Sequence, residues 1–230
     1  GHPLLLLARR VEAMQALELP NSLSISVDVT DGAAIKTAIT QAEAQFGPVG
    51  CLINNAGIML LGQIDVQDPK EWSRMLNINV MGVLNGIHAV LADMKARKTG
   101  TIINVSSVAG RKTFPNHAAY CATKFAVHAL TENIREEVAM DDVRLIIIAP
   151  GAVETELLSH TTSDDIKAGY HDWKEEMGGV TYSVQYVTDS KETLLKYYIE
   201  DAPILREEGE KLFGEKMLSF RTELEVISEH

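Results

Sequence analysis

The chain has 230 residues, which suffices for one large hydrophobic core or for one core with a small appendage. Hydrophobic residues make up 46% and charged residues 23%, as is ordinary for globular proteins. The net charge of −11 argues against a nucleic-acid partner, and no apolar run approaches the ~20 residues needed to cross a bilayer. Cys51 and Cys121 have neither disulfide nor metal-binding spacing. We therefore expect a cytoplasmic protein with no membrane partner and no metal site.

Short apolar runs alternate with longer helical patterns along much of the chain. The apolar runs cover residues 4–7, 24–27, 51–53, 101–105 and 145–148. The helical patterns cover residues 31–46, 69–97 and 118–139. Uninterrupted apolar strands are typical of sheets that helices cover on both faces, and alternation of strand and helix gives parallel strands. This order predicts a Rossmann-like, doubly wound parallel α/β sheet, which binds ligands beyond the carboxyl ends of its strands.

A different pattern begins near Gly178. Apolar and polar residues alternate at 182–186 and again at 218–226, with a helical stretch between them. Alternation of this kind is typical of antiparallel strands with one face in water. We therefore expect a nucleotide-binding domain over 1–180 and an α+β tail of β-α-β order over 181–230. One hypothesis for the tail is self-association through its paired strands.

Tyr120 and Lys124 form the strongest chemical signal. They are four residues apart in a helical pattern, so their side chains project from the same face, one turn apart. A free phenol has a pKa near ~10, and a neighbouring ammonium favours the phenolate and brings that pKa towards neutrality. Ser107, just after the strand pattern at 101–105, can hold the substrate oxygen that gains or loses the proton. A surface pair on an amphipathic helix would show the same Tyr-Lys spacing, so the pair alone is not decisive.

Two turns at strand ends carry further residues of interest. Asn55 and Gly57, in Asn54-Asn55-Ala56-Gly57, suit a tight backbone turn against which a flat adenine ring could lie. Pro150-Gly151 follows the last apolar run and brings the hydroxyl of Thr155 near the expected pocket. Each motif alone is more often only a turn, so their joint occurrence carries the argument.

Together these residues resemble the classical short-chain dehydrogenase/reductase family over residues 1–180. The matching motifs are Asp28-Val29, Asn54-Asn55-Ala56-Gly57, Asn79 in Asn-Ile-Asn-Val-Met-Gly, Asn104-Val-Ser106-Ser107, Tyr120-Cys-Ala-Thr-Lys124 and Pro150-Gly151-Ala-Val153-Glu-Thr155. Their common order and spacing argue against coincidence. Within the family, the sequence looks most similar to NADPH-binding blue fluorescent protein and NADP-dependent hydroxy-acid dehydrogenases.

The resemblance implies an oxidoreductase that transfers a hydride between a nicotinamide cofactor and a small alcohol, hydroxy acid or carbonyl. Tyr120 would be the general acid/base, Lys124 would tune it and bond the nicotinamide ribose, and Ser107 would orient the substrate oxygen. Asn79 would hold a water in a proton relay. The implied cofactor-binding residues are Asp28, Val29, Asn55, Ala56, Gly57, Tyr120, Lys124, Pro150, Gly151, Val153 and Thr155. The family also leads us to expect a homo-oligomer, either a dimer or a tetramer.

Arg9 and Arg10 indicate which nicotinamide cofactor is preferred. They follow the apolar run at 4–7, where an acidic residue would accept hydrogen bonds from a ribose 2′-hydroxyl. Arginine pairs instead with a 2′-phosphate, so the two residues favour NADP(H) over NAD(H). The alternative is that both arginines are solvated residues at a helix start.

One element of the family pattern is not found in this sequence. The family's Gly-rich turn follows its first strand and cradles the pyrophosphate at a helix N-terminus. We therefore expect a sheet that lacks this central strand and exposes apolar edges. This departure supports a second hypothesis, a non-catalytic protein that binds NADPH and enhances its fluorescence. In either case we expect the pocket wall at 59–62 and at 156–177, the latter forming a mobile lid.

Overall fold

The computed structural model describes residues 2–151, 156–169 and 182–185, the last of these as backbone only. The chain divides into two units, Gly1–Gln185 and Tyr186–His230, and every described residue belongs to the first. Val153, Thr155 and most of the predicted tail therefore lie outside the described residues.

Strands and helices alternate as the apolar runs predict. The strands are β1 (Leu4–Ala8), β2 (Ser22–Ser26), β3 (Cys51–Asn54), β4 (Gly100–Val105), β5 (Val143–Pro150) and β6 (Tyr182–Gln185). The α-helices are α1 (Val11–Gln15), α2 (Gly32–Phe46), α3 (Pro69–Leu76), α4 (Gly82–Arg97) and α5 (Ala118–Glu137). A π-helical turn, Asn77–Met81, joins α3 to α4, and short 3₁₀-helices lie at Val108–Gly110 and Glu156–His160.

The strands form two sheets. β1 and β2 pair in parallel, and β3, β4 and β5 pair in parallel in that order. β6 adds to β5 in antiparallel orientation, with Pro150 opposite Tyr182. The alternation at 182–186 thus correctly predicts an antiparallel strand, which the structure places on the edge of the main sheet. The architecture is a Rossmann-like α/β fold.

Within residues 2–151, no strand pairs β3 with the two-stranded sheet. Leu4 of β1 is 41% exposed and Ile53 of β3 is 59% exposed, so each edge presents apolar side chains to solvent. This agrees with the expected exposure of apolar edges where the family's first strand would pair. The hydrogen-bonding groups along these edges are open to another strand.

The helices begin and end where local chemistry requires. Asp31 caps α2 by accepting a hydrogen bond from the backbone N–H of Ala34 at 2.9 Å, and Asp68 caps α3, in which Pro69 occupies the first turn. Although polar and charged residues interrupt it, the stretch Pro69–Arg97 could cross a membrane by length and mean hydropathy alone. Its α4 part packs against α2, β3 and β4 and buries Val83, Ile87 and Val90, so it is a core helix.

Gly110 permits a close approach between the loop after β4 and helix α5. A Cβ atom at this position would lie 2.8 Å from the backbone oxygen of Lys124 and 2.5 Å from the His128 ring. Gly50, just before β3, has no atom within 4 Å of the corresponding position. The absence of a side chain at Gly110 therefore lets this loop pack directly on α5.

We expect Gly110→Ala to lower the free energy of unfolding by about 1–3 kcal/mol, because the added methyl group overlaps backbone atoms that α5 holds in place. Urea denaturation followed by circular dichroism measures this change. Gly50→Ala is the matched control and should unfold at nearly the wild-type midpoint. Equal midpoints for the two variants would show that the loop and α5 can separate at little cost.

Candidate active site

The predicted catalytic residues lie near the carboxyl ends of β3, β4 and β5, where a parallel sheet is expected to bind its ligands. Asn79, Ser107, Tyr120 and Lys124 are exposed by only 1%, 9%, 5% and 7%, respectively. Buried polar groups of this kind are costly unless hydrogen bonds satisfy them. The contacts of each residue therefore show what holds the site together.

Helix α5 places Tyr120 and Lys124 one turn apart on a buried face. Lys124 Nζ donates a hydrogen bond to the backbone oxygen of Val105 at 3.1 Å and lies 5.8 Å from the centroid of the Tyr120 ring. Burial lowers the pKa of Lys124 from 10.5 to about 8, since the interior solvates an ammonium poorly. The amine thus remains mostly charged at neutral pH and lies next to the phenol.

Ser107 stands where β4 turns towards α5. Its Oγ accepts a hydrogen bond from the backbone N–H of Ala109 at 3.1 Å and so caps the short helix Val108–Gly110. The preceding residue, Ser106, donates from Oγ to the backbone oxygen of Lys124 at 3.2 Å. These bonds fix the end of β4 against the turn of α5 that carries Lys124.

Asn79 lies in the π-helical turn between α3 and α4, and single π turns often occur at functional sites. Its Oδ1 accepts from the backbone N–H of Ile58 at 2.8 Å, and its Nδ2 donates to the Ile58 oxygen at 2.9 Å and to Thr123 Oγ1 at 3.1 Å. Both amide protons of Asn79 are therefore used within the protein. The predicted water relay stays a prediction.

The turn after β3 presents residues that a cofactor could contact. Asn55 and Ala56 are exposed, and Gly57 is half-buried. A Cβ atom at Gly57 would lie 3.4 Å from Asn79 Oδ1 and 3.7 Å from Lys124 Nζ, so the turn adjoins the predicted catalytic residues. The sequence motifs at 54–57 and 120–124 are thus brought together.

Asp28 and Val29 lie after β2 and are both held in fixed positions. Asp28 Oδ1 accepts from the backbone N–H of Thr30 at 2.9 Å and from its hydroxyl at 2.8 Å, and these bonds lower the pKa of the Asp28 carboxyl. Val29 packs against Gly82, and its oxygen accepts from Asn85 Nδ2 at 2.9 Å. A ligand at this edge would therefore meet a preorganised turn.

A cavity of about 530 Å³ opens beside this turn. It is lined by Arg9, Asp28, Thr30, Pro69, Lys70, Ser73, Arg74, Asn77 and Ile78. Sequence reasoning had not identified Lys70 and Arg74, although their spacing of four residues in a helical pattern places both on one face. With Arg9 they give the cavity three cations against the single carboxylate of Asp28.

Arg10 does not line this cavity. Its Nη2 lies 2.8 Å from Glu156 Oε2, and both side chains are more than two-thirds exposed, at 74% and 71%. The two predicted arginines therefore differ in their surroundings, because Arg9 faces the cavity and Arg10 pairs with the segment that follows β5.

The remaining predicted residues lie at the end of β5. Pro150 and Gly151 are half-buried there, whereas Val153 and Thr155 lie outside the described residues. Within residues 2–151 and 156–169, no three His, Cys, Asp or Glu side chains cluster in a way that could hold a metal ion.

The expected pocket wall forms an apolar cluster around Tyr120. Residues 58–61 are buried in it, and Leu157, Leu158 and Ile166 pack against it from the segment after β5. The structure thus brings residues 59–61 of the first expected stretch, 59–62, together with the described part of the second, while residues 170–177 lie outside the described residues.

The comparisons with known proteins agree with this arrangement. A model of the short chain dehydrogenase family matches residues 3–166, and a domain of unknown function (DUF4286) matches residues 156–227. The chain is 42% identical over 173 residues to an uncharacterized oxidoreductase of Staphylococcus saprophyticus, a match that covers 73% of this chain and 70% of that protein.

Solved structures give the same result. The closed form of serine dehydrogenase complexed with NADP+ is similar with a TM-score of 0.69 and 31% identity, over 74% of this chain and 71% of that one. A short chain dehydrogenase/reductase from Burkholderia phymatum in complex with NAD has a TM-score of 0.64 and 27% identity, over 69% of this chain and 60% of that one. From its fold, its motifs and these relatives, the chain belongs to the short-chain dehydrogenase/reductase family of oxidoreductases.

Proposed function

We propose that this chain is an NADP(H)-dependent oxidoreductase that interconverts a small alcohol or hydroxy acid and its carbonyl compound. The observation that carries the proposal is the buried Tyr120–Lys124 pair on α5, next to Asn79 and Gly57 and close to the carboxyl ends of three parallel strands. The similarity to an NADP+ complex of serine dehydrogenase, whose name indicates a hydroxy-acid substrate, supports both the cofactor and the substrate class.

Tyr120, Lys124 and Ser107 would each have a separate role in proton transfer. The bound nicotinamide supplies or accepts the hydride. Tyr120 donates its hydroxyl proton to the carbonyl oxygen during reduction and takes it back during oxidation. The Lys124 ammonium stabilises the phenolate left behind, an effect that burial strengthens. Ser107 Oγ accepts from Ala109 without using its own proton, which it can donate to the substrate oxygen.

The cavity beside Asp28 supports binding of the adenosine end of the cofactor. Arg9, Lys70 and Arg74 are available there for a 2′-phosphate, and charge-assisted bonds from arginine to phosphate are strong and directional. Asp28 and Val29 would contact the adenine ring, and the turn at 55–57 would line the rest of the cofactor. The glycine-rich turn that would hold the pyrophosphate is not among residues 2–151. The proposal also includes a homo-oligomer, as the family resemblance leads us to expect, and a cytoplasmic location, as the cysteine usage indicates.

Tyr120→Phe should reduce turnover by about 10²-fold or more, because the variant keeps the ring but loses the proton donor. The assay follows NADPH formation from NADP+ with a panel of L-serine, gluconate and 2-propanol. NADPH binding, measured by the cofactor's fluorescence, should weaken far less than turnover, because the variant keeps the ring of Tyr120. An unfolding midpoint near the wild-type value controls for folding. Equal turnover by the two proteins would remove Tyr120 from the mechanism.

Arg9→Gln should weaken NADPH binding by about 10-fold or more and leave NADH binding unchanged, because only NADPH carries the 2′-phosphate that the guanidinium would contact. Fluorescence titration with each cofactor measures both affinities. Arg144→Gln is the charge-matched control, since Arg144 lies near the opposite end of β5 and bonds to Thr101. A parallel loss of affinity for NADH would show that Arg9 does not select the cofactor.

Lys124→Met should change stability in a pH-dependent manner. Below pH 8 the amine is charged in both the folded and the unfolded chain, so the folded chain bears the full cost of burying it. Between pH 8 and 10.5 only the unfolded chain keeps the proton, so the wild-type protein gains stability as the pH rises. At about 1.4 kcal/mol per pKa unit, the total gain is roughly 3 kcal/mol.

The measurement compares urea unfolding of wild type and Lys124→Met between about pH 7 and pH 10. The stability of the variant relative to wild type should fall steadily across this range. Lys36→Met, which removes a half-exposed amine from α2, controls for the loss of one positive charge. A stability difference that stays constant with pH would contradict the depressed pKa of Lys124.

A further inference from the structure

The segment Ile58–Leu61 is buried although it belongs to no strand. Its side chains are between 2% and 4% exposed, so its backbone groups also lie away from water. Side chains accept from three of its four backbone N–H groups: Ile58 donates to Asn79, Leu60 to Met75 Sδ and Leu61 to Thr161. The shape of this wall is therefore set by a few polar side chains from other elements.

Thr161 makes two of these bonds. Its Oγ1 accepts from the Leu61 N–H at 3.2 Å and donates to the Met59 oxygen at 3.3 Å, and the residue is 1% exposed. Its own N–H donates to the Leu158 oxygen at 3.0 Å, which ends the 3₁₀-helix Glu156–His160. One hydroxyl thus joins the segment after β5 to a wall about 100 residues earlier in the chain.

The wall is also connected to the predicted acid. The side-chain amide of Asn79 accepts a hydrogen bond from the backbone N–H of Ile58 and donates one to the Ile58 backbone oxygen. Asn79 Nδ2 also donates to Thr123 Oγ1. Thr123 in turn donates to the backbone oxygen of Tyr120 at 2.7 Å. One end of the wall is therefore fixed relative to Tyr120, and Thr161 fixes its other end to the segment at 156–169.

We propose that Thr161 is a positioning residue that sets the width of the substrate cleft beside Tyr120 by holding residues 58–61 against residues 156–169. Without the hydroxyl, the Leu61 N–H and the Met59 oxygen would each lose a buried partner, and the two stretches would separate to admit water. Substrate would then be held less well, while the turn at 55–57 would keep its place, because Asn79 and not Thr161 holds the adjoining Ile58. This role rests on the proposed function.

Hydrogen–deuterium exchange tests the contact independently of activity. Thr161→Val keeps the shape of the side chain but removes both bonds, so exchange of peptides spanning 58–62 should be at least about 10-fold faster than in wild type. Thr161→Ser keeps the hydroxyl and should restore slow exchange. Peptides of β4 should be unaffected, which shows that the variant is folded.

Thr131→Val is the matched control. Thr131 is 0% exposed and also makes two hydrogen bonds, donating to the Val127 oxygen and accepting from Asn104 Nδ2, and neither bond reaches residues 58–61. Its substitution should leave exchange at 58–62 at the wild-type rate. Unchanged exchange at 58–62 in Thr161→Val would overturn the proposal, as would an equal increase in Thr131→Val.

Steady-state kinetics test the consequence for substrate. With the member of the L-serine, gluconate and 2-propanol panel that wild type turns over fastest, Thr161→Val should raise the KM by about 10-fold, corresponding to roughly 1.4 kcal/mol. The KM for NADP+ should stay unchanged, and Thr161→Ser should restore the substrate KM. A substrate KM at the wild-type value would overturn the proposed positioning role. If wild type turns over none of the panel, the proposed function fails on this substrate class, and the exchange experiment alone decides whether Thr161 holds the wall.

Discussion

The burial of Lys124 is the constraint on which the rest of the site depends. A charged amine in the interior loses its hydration, and this loss lowers the pKa of Lys124 to about 8. The hydrogen bond to the Val105 oxygen offsets part of the cost and ties α5 to the last residue of β4. Gly110 and Ser106 bring the loop after β4 against the same turn of α5. The buried amine is thus held by several elements at once, which fixes its position relative to Tyr120.

At and beyond the carboxyl ends of the strands, hydrogen bonds between side chains and from side chains to the backbone hold neighbouring segments together. Asn54 donates to Asn104, which in turn donates to Thr131, so a polar chain runs from β3 through β4 to α5. Asn79 and Thr161 hold the wall at 58–61 in the same way. Such networks specify one arrangement, because each group that loses its partner is left buried and unsatisfied. They explain how irregular segments can form a pocket of defined shape.

Sequence periodicity predicted most of the fold, because strands buried on both faces leave uninterrupted apolar runs. The helical pattern at 69–97 was also correct, but it did not reveal the π turn at 77–81 that carries the buried Asn79. Side-chain pairs distant in sequence, such as Leu61 with Thr161, have no local pattern that could predict them. The sequence correctly placed Tyr120 and Lys124 side by side, because their spacing is contained within one helical turn, and their catalytic roles stay predictions.

The two arginines after β1 show where sequence and structure must be combined. Both precede a helix and follow a strand, so their residue type alone assigns them the same role. In the structure Arg9 lines the cavity beside Asp28, whereas Arg10 pairs with Glu156 in a position where water screens both charges. A screened pair of this kind competes weakly with the several charge-assisted bonds that a phosphate accepts. Breaking the Arg10–Glu156 pair would thus cost little, but Arg10 does not line the cavity, so our proposal assigns recognition of the 2′-phosphate to Arg9.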